Sequence, residues 1–219
     1  MTKFFHRNQI PFYLIPRALP YDRYVAFQEN ARKKRKESIL FLEHNPCLTG
    51  GIGAKAENLL VSKSLLEEKG VGVFSITRGG DFTAHEPGQI VGYIHMDLKE
   101  RAVNLGDFLQ NLNHSLLQTI QTVWGLDLIE NPKAPGLYLE SQPEKKILSI
   151  GVLAKSYFTS YGFALNGNNS LETFQWIRPC GGLAQDMVSL RTLGLVKDWE
   201  LEKSQFVSEF TKTFSLFFQ

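Results

Sequence analysis

The chain has 219 residues, 43% hydrophobic and 21% charged, enough apolar side chains to bury a sizeable core and too many for wholesale disorder. Its 24 basic and 22 acidic residues leave a formal charge of +2, which excludes a protein that coats nucleic acid by bulk charge. No apolar run approaches the ~20 residues of a membrane helix, and Lys3, His6, Arg7 and Asn8 stand where a signal peptide would be apolar, so a cytoplasmic protein without membrane contact is expected.

Pro20 opens a helix predicted over Tyr21 to Lys36, whose basic end suits the helix dipole. Ile39 to Leu42 reads as a short buried strand ending at the loop His44-Asn45-Pro46. Ser62 caps a short helix to Lys69, left through Gly70. Val71 to Thr77 and Gln89 to Leu98 read as strands; Arg78 to Gly88 between them has no periodicity and reads as a glycine-rich loop. Asn104 caps the best helix, in which Leu105, Phe108, Leu109, Leu112, Leu116, Ile120 and Val123 recur at three- and four-residue steps until Gly125. Short strands follow at Leu126 to Glu130, Gly136 to Glu140, Lys146 to Lys155 and Thr159 to Asn166. Asp198 caps a last helix with Glu200 and Glu202 in its first turn. Without repeats or a linker, residues 1–219 read as one domain of the α+β (mixed α/β) class, a mixed sheet flanked by helices.

Two cysteines cannot build a disulfide framework, and neither CxxC nor HxxxH occurs, so no metal and no cofactor is expected. Three constellations could carry chemistry. In the first, Arg78-Gly79-Gly80 lets backbone N–H groups approach a ligand and adds a cation, while His85 suits acid or base work. An ordinary glycine-rich hairpin with a surface histidine explains that segment equally well. The second is Arg178-Pro179-Cys180-Gly181-Gly182, an accessible thiol on irregular backbone whose free N–H groups could face an oxyanion. Cys47, in Asn45-Pro46-Cys47-Leu48-Thr49-Gly50-Gly51, has a similar setting, and context alone does not choose between the two. The third is the strand Lys145-Lys146-Ile147-Leu148-Ser149-Ile150-Gly151. Its lysines point to opposite faces, and spacing does not say which could meet a nucleophile rather than solvent.

The series RGG-x-x-T-x-H-x-PGQ-x-VGY-x-x-x-DL (Arg78 to Leu98), KILSIGV (Lys146 to Val152), YGFALN (Tyr161 to Asn166) and PCG (Pro179 to Gly181) resembles the lipoyl(octanoyl) transferases. His44 to Gly51 resembles their early H-x-P-x-x-T-x-G stretch. The resemblance implies the fold shared with lipoate and biotin protein ligases and transfer of an octanoyl group from acyl carrier protein. The acceptor would be a lysine of lipoyl domains, in 2-oxoacid dehydrogenases or the glycine cleavage H protein. It implies Cys180 as the nucleophile that carries a thioester and Lys146 as its acid and base. Arg78, Gly79, Gly80, His85, Ser149, Ile150, Gly151, Gly162, Phe163 and Ala164 would line the pocket. Cys47 falls where the family commonly has an aliphatic residue, so it is expected in the core. Departures from TYHGPGQ and HGFALN are Ala84, Glu86 and Tyr161. Glu86 is expected to raise the pKa of His85, and Ala84 to remove a ring from the pocket wall. The rival readings are an ATP-dependent ligase on the same fold and a non-catalytic acyl or lipoyl-domain binder. The basic run Arg32 to Lys36 is either a solvated helix end or a docking patch for acidic partners.

Overall fold

The computed structural model describes residues 10–131, 134–179 and 182–218. Seven strands form the main sheet in the order β1 (Phe12–Leu14), β2 (Ser38–Leu42), β6 (Gln89–His95), β10 (Phe158–Asn166), β9 (Gln142–Lys155), β8 (Gly136–Leu139), β7 (Leu128–Glu130). Only β1 and β2 run parallel in it. A second sheet of three strands sets β3 (Cys47–Gly50) between β4 (Gly72–Ser75) and β5 (Phe82–His85).

Side-chain alternation divides the core. On β2, Ile39 and Phe41 join the cluster beneath α3 (Leu105–Trp124) and α4 (Trp199–Ser215), while Leu40 and Leu42 face α1 (Tyr21–Lys33) with Tyr21 and Tyr24. The short α2 (Lys63–Glu68) sends Leu66 into a third cluster around Leu48 and Ala84. The expected caps form: Ser62, Asn104 and Asp198 accept from the backbone N–H three residues on. Gly125 ends α3 in the left-handed conformation, at φ 65°.

Two strands lie inside segments read as loops, β3 and β5. They pair with each other (Cys47 opposite His85), and both faces of β5 are covered, so neither shows the polar alternation of a half-exposed strand. Helix α1 stops at Lys33, short of Lys36, and Pro20 is its cap rather than its first residue. Arg35 adopts a left-handed φ of 47°, and its guanidinium pairs with Asp97 and donates to Ser156 O at 3.1 Å. One charge of the basic run is therefore a structural tie between the end of α1 and the sheet.

Candidate functional site

A cavity of about 250 Å³ lies where β6, β9 and β10 meet β5 and the turn before it. Arg78, Gly79, Gly80, His85, Lys146, Ser149, Ile150, Gly151, Gly162, Phe163 and Ala164 all line it. Of the expected site residues, Cys180 (with its neighbour Gly181) lies outside the described residues. Sequence reasoning missed Pro135 and the aromatic wall of Tyr21 and Tyr93, which also line the cavity. Tyr21 was legible only as the start of the helix that Pro20 opens.

Lys146 is 7% exposed, whereas Lys145 turns away and donates to Gln185 O at 2.9 Å. The Lys146 ammonium donates to Pro135 O at 2.7 Å and lies 5.3 Å from the centre of the Tyr138 ring. Gly136, at φ 143°, makes this approach possible: a Cβ there would stand 2.4 Å from Lys146 Cε and 2.3 Å from Leu148 O. In sequence Gly136 reads only as a strand start. Gly136→Ala should displace the lysine and lower turnover about tenfold or more, the cost of misplacing an acid/base group by an ångström or so. Unchanged turnover in a steady-state assay would contradict this.

The segment that follows Cys180 runs back beside Lys146. Gly182 N–H donates to Pro179 O at 3.0 Å. Further on, Met187 bridges to Lys146, and Val188 N–H donates to Lys146 O at 3.0 Å. Cys47 is 2% exposed and burial pushes its thiol pKa up, so the core reading of that residue stands.

Arg78 is tied to the fold rather than presented as a bare cation. Its guanidinium donates to Thr49 O at 2.8 Å, Thr49 Oγ1 at 3.1 Å and Gly79 O at 2.9 Å. Its stem crosses Gly151, where a Cβ would meet Arg78 Cδ at 2.8 Å.

His85 is neutral, its pKa lowered to about 3 by burial, by His44 and by Arg78. This corrects the expectation for Glu86, which turns away from the imidazole. Its carboxylate accepts from Asn169 Nδ2 at 3.1 Å, Leu171 N–H at 2.5 Å and both the N–H and hydroxyl of Thr173 at 2.9 and 2.5 Å. Ala84 removes nothing from the cavity wall either. Alternation along β5 sends Thr83 and His85 to the cavity and Ala84 into the third core cluster. Tyr161 does line the cavity, its hydroxyl 3.3 Å from Thr77 Oγ1.

Burial also lowers His44 and His95 to about 4, from an ordinary 6.5. Between about 6.5 and 4 the unfolded chain binds protons that these three histidines refuse in the folded state, so stability is complete above 6.5 and falls with pH below it. Each proton contributes a slope of about 1.4 kcal/mol per pH unit. Denaturant titrations across that window should show it, and His44→Asn should flatten it.

A model of the lipoyl protein ligase A/B catalytic domain matches residues 16–215. An octanoyltransferase of Leptospira borgpetersenii is 51% identical over 87% of this chain and 86% of its own. One of Caldicellulosiruptor saccharolyticus is 36% identical over 79% and 75%. Two solved structures share the fold: a bipartite lipoate protein ligase from Thermoplasma acidophilum (TM-score 0.72, 13% identity, 95% of this chain and 84% of that one). The other is a lipoate-protein ligase A bound with ATP (TM-score 0.69, 15% identity, 91% and 84%).

Proposed function

The chain belongs to the lipoyl protein ligase A/B catalytic domain family, and we propose that it is an octanoyltransferase acting on lipoyl-domain proteins through a thioester on Cys180. The Cys180 sulfur attacks the carbonyl carbon of an octanoyl thioester carried by acyl carrier protein. The bond to the donor sulfur breaks, and Lys146 returns a proton to it. The amine of a lipoyl-domain lysine then attacks the new thioester, Lys146 accepts its proton, and the Cys180 thiolate leaves. Thioester to amide is downhill, so the balance needs no ATP. Six methylenes of the acyl chain, at ~0.8 kcal/mol each, would contribute roughly 5 kcal/mol of binding in an apolar slot. Ile150, Phe163 and Val91 offer such a surface.

The observation that carries this reading is the meeting of three motif segments in one cavity, with the buried Lys146 hydrogen-bonded to the strand-like segment that follows the fourth. Octanoyl carrier protein and a lipoyl domain, mixed with the protein without ATP, should yield octanoyl-lysine. Product formed only from free octanoate and ATP would replace this reading by the ligase one.

The acidic-partner docking patch now reduces to Arg32, Lys33, Lys34 and Lys36, since Arg35 is paired. Lys33→Glu with Lys34→Glu should slow transfer about tenfold at low salt and much less at high salt. An equal rate at low salt would make the run a solvated helix end.

A further inference from the structure

Gln89 and Asn166 belong to motifs singled out in the sequence, yet the mechanism above gives them no part. Both are 1% exposed and they face each other across β6 and β10. Asn166 Nδ2 donates to Val188 O at 3.0 Å; a carbonyl only accepts, so the orientation of that amide is fixed, with Oδ1 turned to Gln89. Gln89 Nε2 then donates to Asn166 Oδ1 at 2.9 Å and to Ala84 O at 3.2 Å, which spends both of its protons. Gln89 Oε1 is left as an acceptor, 2.7 Å from His85 Nδ1. His85 must therefore carry its proton on Nδ1, and its lone pair on Nε2. Donor–acceptor polarity thus runs unbroken from the Val188 carbonyl to an imidazole on the cavity wall. The Val188 N–H, at the other end, holds Lys146 O.

We infer that Gln89 and Asn166 are positioning residues that hold His85 as an acceptor through Nε2, and that the group it accepts from is the incoming lysine amine. An acyl thioester has no hydrogen-bond donor at its reacting atoms, whereas the attacking amine does. This assignment rests on the two-step transfer proposed above, and it makes the aminolysis step the sensitive one.

Long-range ¹⁵N–¹H correlation spectra of the imidazoles report the tautomer whatever the reaction proves to be. The wild-type His85 should show the Nδ1–H pattern, and Gln89→Leu should lose it. In single-turnover assays Gln89→Leu should slow lysine octanoylation about tenfold or more, with acyl-enzyme formation changed less than threefold. Asn166→Asp, which still accepts from Gln89 but no longer donates to Val188 O, should keep the tautomer and lose rate in both steps. An Nε2–H wild-type pattern, or equal losses in both half-reactions for Gln89→Leu, would overturn the inference. Absence of any acyl-enzyme in the wild type would instead remove the two-step reading and leave the tautomer result standing.

Discussion

Lys146→Ala is expected to slow formation of the octanoyl-enzyme by a factor of ~10²–10⁴, the usual contribution of a positioned acid/base group. A free thiol with a pKa of ~8.5 is only a few per cent thiolate at neutral pH, and an adjacent ammonium favours the anion. Without Lys146 the rate should therefore fall off at higher pH than in the wild type. Lys145→Ala is the internal control. Its ammonium holds Gln185 O outside the cavity, so acylation should change little. Equal, small losses in both variants, measured by single-turnover acylation, would take Lys146 out of the chemistry and leave His85 as the next base to consider.

Cys180→Ala should abolish acylation and transfer while leaving the protein folded, because a thiol between a proline and two glycines contributes little core. Cys47→Ala should do the reverse. The Cys47 side chain sits at 2% exposure among Leu40, Tyr21 and Tyr93, so its loss should lower stability modestly and keep most activity. Thermal melts and transfer assays on the two variants separate the roles. Exchange of the two outcomes would make Cys47 the nucleophile.

The sequence made α3 and its caps legible because a twenty-residue helix with a one-sided apolar stripe, an Asn cap and a Gly exit has consistent signals at every level. It also placed Gly79, His85, Lys146 and Gly162 among the residues that line one cavity. Hidden from it were β3 and β5, whose pairing joins Cys47 to His85 and Gly50 to Phe82, residues far apart in the chain that no local pattern links. Glu86 misled for a related reason. Beside His85 in sequence, it points to the opposite side of the turn, where Leu171 and Thr173 supply its hydrogen bonds. Gly136 looked like an ordinary strand residue because its reason for being glycine is the stem of Lys146, ten positions away.

The thioester is the centre of the account, and intact-mass analysis tests it most directly. The full-length protein, mixed with octanoyl carrier protein in the absence of ATP and of any lipoyl domain, should gain one octanoyl group. Proteolysis should place that group on the peptide containing Cys180, and added lipoyl domain should discharge it. An unmodified protein that nevertheless transfers octanoyl to the lipoyl domain, or an adduct on the Cys47 peptide, would contradict it.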